Sequence, residues 1–168
     1  ENGPLRCYHC KTALFTALLE RARMDGYPLL LDGTNASDRT DDRPGMRALE
    51  ELEVRSPLRE CGLTKADIRS LSKEAGLFTW DKPAYACLAT RIPTGTSITA
   101  EQLEHVERSE QILSSLGFSD LRVRTENGSA CLELPHPQFI RAVQLHQEIR
   151  TALSPYFKRV LLNLAPRD

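Results

Sequence analysis

Three thiols and a small group of arginines are the side chains whose types and spacing could do chemistry. Cys7 and Cys10 form C-x-x-C, a spacing shared by zinc ribbons, redox dithiols and iron–sulfur sites. A zinc ribbon needs a second pair of ligands, and none follows. A redox dithiol wants a strand before the motif, and only Glu1–Arg6 precedes it. Cys87 is a third candidate thiolate. It lies in WDKPAYACLATRIPTG, Trp80–Gly95, where Pro83, Pro93 and Gly95 argue for a loop. A loop of this size in a compact domain is commonly functional, although Cys87 packing inward would be the plainer reading. Three cysteines leave one iron of a [4Fe–4S] cluster without a protein ligand and open to substrate or sulfide. His9 is an alternative ligand, although a lone histidine beside such a motif is more often simply exposed. Cys61 and Cys131 are read as packing residues.

The arginines make the second constellation. Arg122 and Arg124 are two apart in a predicted strand, so both leave the same face. A planar guanidinium holds phosphate with two hydrogen bonds. With Arg91 and the Thr90 hydroxyl brought near, they would form a phosphate seat; the alternative is a solvated sheet face. A third candidate is Asp32-Gly33-Thr34-Asn35. It closes the apolar run Tyr27–Leu31, as ligand-binding loops close the strands of a parallel α/β sheet. A plain turn would use the same residues.

The elements that must position these groups follow from periodicity. Leu14, Ala17, Leu18 and Ala22 predict a helix over Ala13–Met24 that Gly26 ends. Apolar runs predict short strands near 27–31 and 53–58, and helices are expected at 46–52 and from Thr64 to Gly76, the latter opened by a capping box. This alternation reads as α/β. Beyond the loop, Thr99 and Gln102 cap a helix running to about Leu116, with Gly117 as its stop. Leu121–Thr125 and Ala130–Leu134 alternate as two strands about an Asn127-Gly128 turn. A helix over Pro137–Leu153 and a last strand over Val160–Leu164 complete a small α+β unit. The predicted domains are therefore residues 1–97 and 98–168.

The 168 residues are 40% hydrophobic and 27% charged, with net charge −1. Such balance gives no global pull toward nucleic acid or an acidic membrane, so any anion site must be local. No apolar run approaches a membrane span and none resembles a signal peptide. Five cysteines, an odd number, fit a reducing compartment better than a disulfide framework; the expected location is cytoplasmic. The chain starts at Glu1 without methionine, and is read as lacking its natural beginning.

An ordered set of motifs carries a resemblance. Arg6-Cys7-Tyr8-x-Cys10-Lys11, Leu31–Asn35, Arg43-Pro44-Gly45, Arg55–Leu58, Trp80–Pro83, Ala86–Pro93 and Leu121–Arg124 with Glu133 resemble, in that order, the LarE family. Those are ATP-dependent sulfur transferases of the PP-loop pyrophosphatase superfamily. They act on a pyridinium dicarboxylate mononucleotide during biosynthesis of the nickel-pincer cofactor of lactate racemase. The resemblance implies the later part of a Rossmann-like PP-loop domain followed by an α+β substrate or oligomerisation domain. It also implies a homo-oligomer in the full-length protein, and the charge balance gives no expectation of nucleic-acid or membrane partners. The SGGxDS phosphate loop of the family does not occur here, so the chain as given is expected not to adenylate. In one subtype a sacrificial cysteine donates sulfur, and Ala86 stands at its place. The second subtype has C-x-x-C plus a cysteine at Cys87, and this chain matches that pattern. Cys7, Cys10 and Cys87 would hold a [4Fe–4S] cluster, with Cys87 at the reacting centre. Thr90, Arg91, Arg122 and Arg124 would seat the substrate phosphate. Asp32, Gly33, Thr34, Asn35 and Arg43 would face ATP, used with Mg²⁺. Lys82 is assigned to neutralising developing negative charge, by analogy with cationic stabilisation elsewhere. Glu110 and Glu133 match acidic positions that face metal at subunit contacts, but Arg141 replaces their third partner and Asp42 replaces a tyrosine. The alternatives are a PP-loop thiolase acting on tRNA, which would favour a basic surface, and a non-catalytic metal- or phosphate-binding module.

Overall fold

A computed structural model describes residues 1–38, 44–83 and 85–167. It divides into two compact units, Pro4–Lys82 and Glu1–Gly3 with the chain from Pro83 onward. The division falls ahead of the Ser97 boundary read from the change in element pattern. Its cause is the loop around Leu88–Arg91, which packs with the later helix and strands.

In the unit Pro4–Lys82, helix α1 runs Arg6–Met24, starting earlier than its apolar spacing predicts. Both cysteines of the C-x-x-C motif therefore lie inside its first turns. Helix α2, Pro44–Glu51, crosses close to α1. Gly45 permits this approach, because a Cβ there would meet Lys11 Cδ at 3.0 Å and the Cys7 carbonyl at 3.5 Å. Tyr8 Oη donates to Glu51 at 2.5 Å, and the Arg47 guanidinium lies 4.2 Å from the Tyr8 ring centre, a cation–π contact. The core is small: Met46, Leu49 and Val54, with Phe15, Leu30 and Leu52 against it.

The two strands expected here shrink to one parallel bridge, Leu31 to Arg55. Asp32 N–H donates to the Arg55 carbonyl and Arg55 N–H to that of Leu30. Tyr27, Leu29 and Leu31 are exposed rather than buried, as are Leu14 and Leu18 of α1. Among the described residues no further strand extends the bridge, so the apolar stripe has no sheet to cover. Helices α3, Pro57–Glu60, and α4, Lys65–Glu74, follow. Thr64 and Asp67 form the predicted capping box on α4.

The second unit carries a larger core. A 3₁₀ turn at Leu88–Arg91 precedes helix α5, Ala100–Ser115, which opens on the Thr99–Gln102 capping box. Strands β1, Arg122–Glu126, and β2, Ser129–Glu133, pair antiparallel. Their turn has φ of 48° at Asn127 and 75° at Gly128, the left-handed pair that two-residue hairpins require. Strand β3, Arg159–Leu162, lies parallel to β2, giving the order β1-β2-β3. Val123, Ala130 and Leu132 point inward against Val106 and Leu113 of α5 and Ile149 and Leu153 beyond. The helix expected over Pro137–Leu153 is broken into a 3₁₀ turn at His136–Gln138, α6 at Phe139–Gln144 and α7 at His146–Leu153. His146 Nδ1 sits 2.9 Å from the Val143 carbonyl, the acceptor a continuous helix would give to Gln147.

Candidate anion site on the outer sheet face

Alternation along β1 sends Val123 into the core and Arg122 and Arg124 to the outer face, with Arg122 opposite Glu133 and Arg124 opposite Cys131. Arg124 is partly committed. Its Nε donates to Glu133 at 2.5 Å and its Nη1 to the Thr90 carbonyl at 2.7 Å. That second bond brings the Thr90 backbone to the face carrying the arginines. Arg122 is half-buried, and no hydrogen bond or ion pair engages its guanidinium among the described residues. Burial, followed by the like charges of Arg167, Arg91 and Arg124, pulls its pKa below the usual arginine value, against the opposing charge of Glu133 across the strand pair. An anion bound here would offset the like charges.

Arg91, expected in the seat itself, lies beneath it. Its side chain is 1% exposed and donates through Nε to Glu110 at 2.9 Å, with Nη2 3.3 Å from the other carboxylate oxygen. Its Nη1 donates to the Thr90 hydroxyl at 2.9 Å and to the Ala86 carbonyl at 3.2 Å. The Thr90 hydroxyl donates in turn to the Cys87 carbonyl at 2.7 Å. Its one proton is therefore used, so in this arrangement the hydroxyl has no donor to give the phosphate it is expected to hold. Glu110, expected to face metal, instead accepts from Arg91 and from Val123 N–H at 3.0 Å. Its carboxylate is buried and fully engaged. Glu133, the other such position, is held by Arg124. Among the described residues no group of three or more His, Cys, Asp or Glu side chains gathers as metal ligands would.

Two contributors carry no sequence signal in isolation. Asn2 is buried and its amide donates to the carbonyls of Ala89, Ile92 and Pro93, at 3.3, 2.6 and 3.1 Å; it pins the loop behind Thr90. Arg167, tied to Asp120 at 2.9 Å, adds positive potential beside Arg122. An asparagine or arginine near a terminus has no periodicity to betray it.

Cys87 is exposed in this unit, directly before the 3₁₀ turn. Cys7 and Cys10 are exposed on α1 of the other unit, one turn apart and so on adjacent sides of one face. Arg6 Nη2 donates to the Cys7 sulfur at 3.1 Å. Cys61 is exposed, not packed, and Cys131 is half-buried in β2, where burial and then the charges of Glu126 and Glu133 raise its thiol pKa. Lys82 is exposed.

The Asp32–Asn35 loop is a turn fastened from within. Asp32 accepts from Thr34 N–H at 3.1 Å, Thr34 Oγ1 at 2.5 Å and Ser56 Oγ at 2.6 Å. Burial resists its ionisation, but those bonds and the Lys11 charge prevail, holding the carboxyl below its ordinary pKa. Asn35 Oδ1 accepts from Ser37 N–H. Gly33 is exposed with open space above it, leaving backbone accessible there. Arg43 and Asp42 lie outside the described residues. No helix among the described residues is long and apolar enough to cross a membrane.

No protein-family model matches the chain. Over 166 residues it is 41% identical to an uncharacterised protein of Synechocystis sp., covering 97% of this chain and 62% of the relative. Over 164 residues it is 34% identical to the pyridinium-3,5-bisthiocarboxylic acid mononucleotide synthase of Lactiplantibacillus plantarum, covering 97% and 59%. An uncharacterised protein of Methanocaldococcus jannaschii is 33% identical over 165 residues, at 98% and 64%. The chain thus spans about three fifths of the length of these relatives.

Proposed function

We propose that this chain is part of a LarE-type, ATP-dependent sulfur transferase of the PP-loop superfamily that acts on a pyridinium dicarboxylate mononucleotide. The observation that carries the reading is Arg122: a half-buried guanidinium with no hydrogen bond or ion pair of its own among the described residues, beside three arginines each held by a carboxylate, on a face to which Arg124 draws the Thr90 backbone. Such a place suits one compact dianion, as the phosphate of a mononucleotide is. The 34% identity to a synthase whose name specifies a bisthiocarboxylic acid mononucleotide supports that choice of substrate.

In the reaction the substrate carboxylate attacks the α-phosphorus of ATP and pyrophosphate leaves. The resulting acyl adenylate is electrophilic at carbon. Sulfide forms the C–S bond, AMP departs with the former carboxylate oxygen, and a thiocarboxylate remains. A [4Fe–4S] cluster held by Cys7, Cys10 and Cys87 would supply the sulfide, and the two exposed thiols one turn apart on α1 suit two of its ligands. Arg122 and Arg124 seat the phosphate, so that the substrate is anchored through a group remote from the reacting carboxyl. Arg91 and Glu110 hold Thr90 and β1 in place, and Lys82 offsets negative charge as it develops.

Affinity for nicotinic acid mononucleotide, measured by calorimetry on the complete protein, tests the seat. A charge-assisted bond contributes roughly 1.5–3 kcal/mol, so Arg122→Ala should weaken binding by about tenfold or more. Arg124→Lys should also weaken it, since a point charge replaces the planar fork. Unchanged affinity in both variants would reduce these arginines to a solvated face.

A further inference from the structure

We propose that the free edge of β3 is a docking groove for an extended acidic peptide segment of another protein, which joins the sheet as a fourth strand. The groove does not depend on the sulfur-transfer reading. It lies at the opposite edge of the sheet from Arg122.

Asn163 N–H donates to the Leu132 carbonyl. In a parallel ladder successive residues face alternate sides, so Arg159 and Leu161 share that direction. The N–H and C=O groups of Val160 and Leu162 point away from β2. β3 is the last strand of the sheet, and no backbone bond reaches those outward groups among the described residues. They border a cleft of about 630 Å³ between β3 and α6–α7. Val143, Ile149, Phe157, Val160 and Leu162 give it an apolar floor and walls. A second hollow of about 480 Å³ shares His146, Arg150 and Ser154 with it.

The rim decides the occupant. Arg150, Lys158 and Arg159, with His146, border the cleft, and among the described residues no carboxylate does. No ion pair engages the three cations among the described residues. Main-chain pairing to a sheet edge supplies affinity, and pockets for alternate side chains supply selectivity. A segment alternating apolar and acidic residues meets both demands here. A second copy of β3 would add three more apolar residues but another arginine and no carboxylate, so self-pairing lacks the complement.

The test uses the intact protein and a fluorescein-labelled hexapeptide of alternating valine and glutamate, with an alternating valine and lysine peptide as control. Fluorescence anisotropy should show saturable binding of the glutamate peptide, and at least about tenfold weaker binding of the lysine peptide. Hydrogen exchange should slow in the segment 156–164 at saturation. Arg159→Glu, an exposed change, should weaken the glutamate peptide by about tenfold. Val160→Pro should abolish pairing by deleting an outward N–H while sparing the bonds to β2. Equal binding of both peptides would mean mere apolar adhesion and overturn the proposal. So would binding without protection of 156–164, complete displacement by inorganic phosphate, or a peptide-dissociated dimer in sedimentation.

Discussion

The buried Arg91–Glu110 pair shows how one ion pair can serve a site without touching its ligand. Two charges removed from water are costly, and their attraction offsets this only when the remaining donors and acceptors are satisfied. Here they are: Glu110 also takes Val123 N–H, and Arg91 also takes Thr90 Oγ1 and Ala86 O. The pair thereby ties α5, β1 and the Leu88–Arg91 turn together. Removing one partner leaves the other charge buried alone, so Glu110→Ala should cost about 3–5 kcal/mol in denaturant unfolding. Glu110→Gln, which keeps an acceptor for Val123, should cost less. Loss near zero in both would mean that Arg91 swings to solvent without resistance. Arg122 should behave oppositely, with little effect on folding when truncated, because no partner depends on it.

At the scale of elements, local chemistry that ends or bends the chain was legible in the residues. Both capping boxes, the Asn127-Gly128 hairpin and the stop at Gly117 form as their residue types demand. Gly117 has φ of 85°, and a Cβ there would lie 2.8 Å from Arg141 Nη2. Arg141 in turn donates to the Leu116 carbonyl at 2.8 Å. Gly117→Ala should therefore lower stability by about 1–2 kcal/mol, from the left-handed backbone alone; an unchanged thermal midpoint would show that the turn relaxes freely. What could not be read was tertiary. The run Tyr27–Leu31 has strand composition, but a strand needs neighbours, and the described residues give it one bridge. The break at Leu145, beside which the His146 ring meets the Val143 carbonyl, has no periodicity signal. Arg91 and Arg122 look alike in sequence, yet one is buried under a carboxylate and the other is not. Periodicity sorted residues onto faces, but could not say which cation a buried carboxylate would claim.

At the scale of the whole molecule, the chain's thiols belong to two compact units, Cys7 and Cys10 to one and Cys87 to the other. If these three thiols hold a cluster, each should be needed for its retention. Two of the other thiols give internal controls. Cys61 is exposed yet outside every motif, and Cys131 is half-buried beside Arg124. The complete protein, purified without oxygen, should carry iron and acid-labile sulfide in equal amounts. Cys7→Ser, Cys10→Ser and Cys87→Ser should each lose most of both, whereas Cys61→Ser and Cys131→Ser should keep them. Iron retained in full by Cys87→Ser would confine the metal to the α1 motif. The loop around Cys87 would then be left with only its part in holding Thr90 against β1.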